Sequence, residues 1–182
     1  WPPMMSLLQG DVGCGKTIVA FLALIAAAGS GYQGAIMAPT GILAEQHFKG
    51  LQKLLDSMEA IMTSEEGSSS SSSSMKIPKI ALVTGGKSAK ERKEIAQGLE
   101  DGSIDIAVGT HALIAENTKF NSLGLVVIDE QHKFGVEQRA ALLAKTSPAP
   151  HVVSMTATPI PRSVALVLFG EMRQLTIDEL PP

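Results

Sequence analysis

Eleven residues near the start of the chain, "LLQGDVGCGKT" (Leu7 to Thr17), constrain the fold more than any other stretch. A short apolar run enters a loop with glycine at positions 10, 13 and 15, and an apolar segment, Ile18 to Ala28, leaves it. The order implies a strand, a tight glycine turn and a helix. Gly10, Gly13, Cys14 and Gly15 would turn the backbone so that its N–H groups, backed by the positive end of the helix, face an anion. The spacing G-x-x-x-x-G-K-[ST] is that of a phosphate-cradling loop, with Lys16 predicted to reach the β- and γ-phosphates of a nucleotide and Thr17 to offer its hydroxyl to Mg²⁺. A chance match in a glycine-rich turn is the competing reading, and the strand before and helix after argue against it. Cys14 holds a variable position of the loop. It reads as a small inert residue or as a thiol whose pKa the helix end lowers.

The rest of the chain repeats the strand-and-helix alternation. Short apolar runs at 6–9, 35–38, 80–84, 104–108, 123–128, 152–155 and 174–177 read as strands. Helical patterns cover 15–28, 42–58, 88–100, 137–145 and 162–169, and "SAKE" at 88–91 has the form of a capping box. This alternation predicts an α/β fold with a mostly parallel sheet and helices on both faces. "LGLVVI" at 123–128 is apolar throughout, as a strand covered on both faces should be. Seven consecutive serines lie within Thr63 to Met75, and the segment at about 63–76 is expected to be a mobile surface insertion, because serine tracts bury too little to offset their ordering entropy. It reads as filler or as a phosphorylated regulatory loop.

Bulk properties narrow the class. With 182 residues the chain is long enough for one globular domain. A single cysteine excludes a disulfide framework and a cysteine-rich zinc site. The apolar run of Ile18 to Ala28 falls short of the roughly 20 residues a membrane span needs. No signal peptide is legible in "WPPMMS". A net charge of -3 argues against a strongly basic nucleic-acid coat, yet hydroxyls, backbone N–H groups and helix N-termini bind phosphates without net positive charge. The absence of an initiating methionine and the abrupt "DELPP" ending suggest a piece of a longer protein.

A phosphate loop needs a carboxylate partner, and "LVVIDEQH" supplies one at the end of a buried strand. Asp129 is predicted to hold Mg²⁺ and Glu130 to polarise the attacking water. Adjacent carboxylates could otherwise be a turn or helix cap; paired with Lys16 they make an ATPase site. Gln131 and His132 follow directly, where they can sense the γ-phosphate. Thr156 and Thr158 in "SMTATPIPR" flank one small residue after the next strand and could link the nucleotide site to a second surface. "APTGILAEQH", "VTGG" and "GTHALI" place hydroxyls and amides at strand ends, an array suited to nucleic-acid phosphates, although each alone could be a helix cap. A P-loop kinase or transporter ATPase has no use for "DEQH" and "TAT".

The order of these motifs resembles superfamily 2 helicases, and "LLQGDVGCGKT", "APTGILAEQHF", "GTHALI", "VVIDEQHKFGVEQR" and "MTATPIPRSVALVLFGEM" resemble the RecG family of branch-migrating DNA helicases. The resemblance covers nearly the whole chain outside the serine insertion. It implies a RecA-like P-loop NTPase lobe, the first of two motor lobes, using ATP and Mg²⁺ and acting on branched double-stranded DNA such as forks and Holliday junctions in recombination and repair. Gln131, His132, Thr156 and Thr158 would couple hydrolysis to lobe movement. Thr40, Thr84, Gly85, Thr110 and His111 would lie along the DNA path, and Arg162 would touch DNA or the other lobe. The partners implied are a second lobe after Pro182 and a wedge domain before Trp1. Localisation would be the nucleoid of a bacterium, or a plastid or mitochondrion in a eukaryote, where the serine repeat points. The family has Glu where this chain has Gly41 and a basic residue where it has Ser6, departures that bear on the geometry of those stretches. Two other readings stay open: the motor lobe of a transcription-repair coupling translocase, and a fragment that binds nucleotide and DNA without motor activity.

Overall fold

The alternation of apolar runs and helices becomes a single seven-stranded sheet in the computed structural model, which describes residues 3–64, 76–115, 118–130, 144, 146–158 and 172–178. The strands are β1 (Met5–Gly10), β2 (Gln33–Met37), β3 (Ile80–Val83), β4 (Ile106–Gly109), β5 (Leu123–Asp129), β6 (His151–Thr156) and β7 (Arg173–Ile177). Their order across the sheet is β3-β4-β2-β5-β6-β1-β7, and every pairing is parallel. All seven therefore present their carboxyl ends along one edge, where open α/β sheets bind ligands.

Helices α1 (Lys16–Gly29), α2 (Gly41–Ser64) and α3 (Ala89–Glu100) and a short 3-10 turn (His111–Ile114) supply the described helical segments. The period of two along β2 sorts the core. Ile36 packs with Phe21 and Leu24 of α1 and Leu51 of α2 on one face, whereas Ala35 and Met37 pack with Leu99 of α3 and Leu113 of the 3-10 turn on the other. Both faces are thus covered, and each fully buried aliphatic side chain contributes about 1.5–3 kcal/mol. Leu24 presses so closely on Gly34 that a Cβ there would overlap its Cδ2, so a larger residue at this point of β2 would require the buried leucine to shift.

Sequence boundaries held best where local chemistry sets them. At α3, Ser88 Oγ accepts from the Glu91 N–H at 3.2 Å, and Glu91 Oε2 accepts from the Ser88 N–H at 2.9 Å. The Ser88 hydroxyl and then its backbone N–H hold the Glu91 carboxyl below its ordinary pKa. The expected helix at 42–58 instead runs to Ser64, because no glycine or proline interrupts "EAIMTS". Thr40 Oγ1 accepts from the Leu43 N–H at 3.3 Å and so caps α2, which starts at Gly41 without the family's glutamate. The predicted helix at 162–169 and the serine tract lie outside the described residues, as does all of 137–145 except residue 144.

One buried polar side chain, unremarked in the sequence, ties three elements together. Gln33 is 4% exposed at the start of β2. Its Nε2 donates to Leu99 O at 2.9 Å and Ile104 O at 2.8 Å, and its Oε1 accepts from the Ser122 N–H at 2.9 Å. Gln33→Leu strands these backbone groups, so amide protection on β2 and β4 should fall by about 30- to 150-fold, equivalent to about 2–3 kcal/mol of local opening. Hydrogen exchange of the full-length polypeptide measures it, and unchanged protection would refute a structural role for this amide.

Candidate nucleotide site and strand-end track

The phosphate loop is built as its glycines predict. Gly13 and Gly15 take φ of 86° and 97°, in the left-handed region that β-carbons disfavour. Gly15 is the N-cap of α1 and no side chain caps it; the Ile18 N–H turns back to Gly15 O at 3.1 Å, and the N–H groups ahead of it are the orphan donors a helix start leaves. Lys16 Nζ donates to Gly10 O at 2.6 Å and Asp11 O at 2.7 Å, which keeps the ammonium over the loop. Its distance to Cys14 Sγ is 3.8 Å. Cys14 is buried, and a Cβ on Gly10 would meet its sulfur at 2.5 Å, so the thiol packs the underside of the loop. Thr17 lies half-buried in the first turn.

Register brings the other strand ends to this loop. Gln9, the residue before Gly10, pairs with Thr156 on β6, and Met155 pairs with Asp129 on β5. Asp129 shares its face of β5 with Val127, on the side covered by α1 and α2. Glu130 follows at once with φ of 49°, a left-handed turn that few non-glycine residues adopt. Thr156 Oγ1 and Thr158 Oγ1 lie 2.9 Å apart, and the Thr158 N–H donates to Thr156 Oγ1 at 3.2 Å, closing a turn between the loop strand and the carboxylate strand.

The remaining candidates collect on the other half of the same edge. Thr40 follows β2, Thr84 and Gly85 follow β3, and Thr110 and His111 follow β4, three adjacent strands. Thr40, Gly85 and His111 are exposed and Thr84 is half-buried, whereas the Thr110 side chain is buried. Gln131, His132 and Arg162 lie outside the described residues.

A residue given no role in the sequence reading completes the site. His47 Nε2 donates to Asp129 Oδ2 at 2.7 Å, and the side chains are 10% and 15% exposed. Its ring meets Phe21 of α1 edge-on, with centroids 6.2 Å apart. The "AEQH" stretch contained it, but a histidine 82 residues from its carboxylate leaves no trace in spacing.

The donor set fits a nucleotide with Mg²⁺. Uncapped N–H groups and Lys16 suit phosphate oxygens, and Thr17 and Asp129 suit a hard cation. Among the described residues no group of three His, Cys, Asp or Glu side chains could hold a metal by itself.

A parallel α/β sheet with a phosphate loop on β1 and a carboxylate at the end of β5 defines a P-loop nucleotide-binding lobe. The DEAD/DEAH box helicase family matches residues 3–167, and the chain belongs to it. It is 51% identical over 180 residues to the ATP-dependent DNA helicase RecG of Synechocystis, covering 99% of this chain and 19% of that protein. It is 42% identical over 201 residues to the ATP-dependent DNA helicase homolog RECG1, chloroplastic/mitochondrial, of Arabidopsis thaliana, covering 98% of this chain and 19% of that protein. Among solved structures it is similar to RecG bound to a three-way DNA junction, with a TM-score of 0.75 and 39% identity over 99% of this chain and 21% of that one. The helicase Lhr of Mycobacterium smegmatis, bound to ssDNA and AMP-PNP, shares the fold at 19% identity and a TM-score of 0.71, covering 98% of this chain and 24% of that one. The chain spans about a fifth of the length of the curated RecG relatives it matches. Membership of the helicase family implies use of ATP. No described helix is long and apolar enough to cross a membrane.

Proposed function

We propose that this chain is the nucleotide-binding motor lobe of an ATP-driven DNA helicase that remodels branched DNA, forks and junctions among them, in recombination and repair. It forms a single lobe over 1–182 with the serine insertion at about 63–76. The observation that carries the proposal is the division of one sheet edge. The strand ends of β5, β6 and β1 bear the phosphate loop and carboxylates, and those of β3, β4 and β2 bear the polar array.

In this reading the backbone N–H groups of the loop and Lys16 hold the phosphates of ATP, and Thr17 and Asp129 hold Mg²⁺. The cation supplies neutralisation of charge on the transferring phosphate. Glu130 orients the attacking water and accepts its proton. Gln131, His132, Thr156 and Thr158 relay the change at the γ-phosphate to the partner lobe. Thr156 and Thr158 suit that role because their shared hydrogen bond sits between the loop strand and the carboxylate strand. Thr84, Gly85 and His111 face the DNA backbone, with Arg162 near the strand or the second lobe. The Thr40 hydroxyl already caps α2, so its share of the track is the helix N-terminus it organises. Thr110, being buried, contributes through its backbone. A second lobe and a wedge domain complete the motor, in a compartment that holds DNA: a nucleoid, plastid or mitochondrion.

The test is steady-state ATP turnover and strand separation by the full-length polypeptide on forked DNA, blunt duplex and single strands. Turnover raised most by the fork, with separation of its arms, is the expected result. Turnover without strand separation would favour a translocase that displaces other cargo from duplex. Nucleotide binding with no DNA-dependent turnover would leave a binding module and overturn the motor reading.

A further inference from the structure

We infer that His47 is a positioning residue for the metal carboxylate, the element by which α2 fixes Asp129 in the nucleotide site. The inference rests on the proposed role of Asp129 as a Mg²⁺ ligand. It starts from the contacts that surround the ring.

His47 lies six residues into α2, about 9 Å along the axis from Gly41. The ring is buried and wedged between two nucleotide-binding elements. On one side Nε2 donates to Asp129 Oδ2 at 2.7 Å. On the other the ring packs at 85° against Phe21. Phe21 is four residues after Thr17, so the two share a face of α1, and the ring that supports His47 lies one turn below the hydroxyl proposed for the metal. Phe21, His47 and Asp129 are therefore joined in series, beside the face of α1 that carries Thr17.

A carboxylate at a strand end is free to rotate about its terminal bond. The imidazole donor removes that freedom, engaging one oxygen and leaving Oδ1 for the cation. Outer hydrogen bonds of this kind commonly set metal affinity, and their loss costs about 10- to 100-fold. A lone buried histidine is ordinarily a satisfied core residue. Here its partner is the carboxylate proposed to hold the metal.

The experiment measures affinity for a fluorescent ADP analogue by the full-length polypeptide, with Mg²⁺ and with EDTA, at fixed pH. His47→Phe keeps a ring against Phe21 but has no donor. It should lose about tenfold or more of the Mg²⁺-dependent gain in affinity, with Mg²⁺-free binding unchanged. His47→Gln, whose amide N–H reaches nearly as far as Nε2–H, should recover most of that gain. Should His47→Phe fail to fold, His47→Asn, with its shorter reach, replaces it against Gln. The inference is overturned if the donor-less variant keeps the full gain, or if both variants weaken Mg²⁺-free binding alike, as a packing role would. Asp129→Asn separates the two levels. If it too keeps the Mg²⁺ gain, the metal assignment fails and the inference with it. If it loses the gain while His47→Phe keeps it, only the inference fails.

Discussion

Glu130→Gln should lower DNA-stimulated ATP turnover by about 10²- to 10⁴-fold while Mg·ATP affinity stays near that of the unaltered protein, since a positioned base contributes on that order to the chemical step alone. The substitution keeps the size of the side chain and removes its capacity to take a proton. The structure gives the site more weight than its sequence neighbours do. Glu130 is the first residue beyond β5, and its φ of 49° marks the only described non-glycine residue in the left-handed region. Such backbone costs about 1–3 kcal/mol and persists where the surroundings hold it. A single-turnover measurement separates the steps. Loss in the chemical phase with binding retained is the expected pattern. Turnover within a few-fold of the unaltered protein would move the base elsewhere, to the residues that follow.

Lys16→Ala should weaken nucleotide binding by about 100-fold and bring turnover to background, because two charge-assisted contacts of about 1.5 kcal/mol each are lost. In the structure the ammonium donates to Gly10 O and Asp11 O at 2.6 and 2.7 Å. Those carbonyls belong to the two residues that open the loop, so the charge stands at its mouth, where it can exchange carbonyl for phosphate oxygen. Calorimetric titration with ADP and a non-hydrolysable ATP analogue checks the binding loss. Because the side chain is half-buried and packs little apolar surface, amide protection in β1 and α1 should be unchanged. Unaltered affinity would remove the loop from nucleotide recognition.

Much of the candidate site was legible because its chemistry is local. Gly13 and Gly15 adopt positive φ at the positions where the spacing demanded turns. Ser88 and Glu91 close the capping box their three-residue spacing announced. Asp129 and Glu130 stand where an apolar run stops. Other features depend on partners far along the chain. Gln33 is legible only beside Leu99, Ile104 and Ser122. Thr40 and Thr110 looked alike as strand-end hydroxyls, yet one is exposed and caps a helix and the other is buried. The end of α2 ran past its expected stop because nothing in "EAIMTS" forbids a helix, and tertiary context rather than propensity decides such ends.

By itself the sequence determined the elements and their direction: a phosphate loop between β1 and α1, a carboxylate pair at the end of β5, and helical connections long enough for parallel strands. Side-chain identity and the periods of 2 and 3.6 are properties of neighbours in the chain, so they survive in one dimension. Only the tertiary structure decided the strand order β3-β4-β2-β5-β6-β1-β7. That order seats β5 beside β2, so the edge divides into a half that carries the glycine loop and the carboxylates and a half that carries the array proposed to bind a strand, and it brings His47 within 2.7 Å of Asp129 at their border. Which strands become neighbours is settled by which crossovers bury both faces of the sheet at once, a balance over the whole chain that no single stretch records.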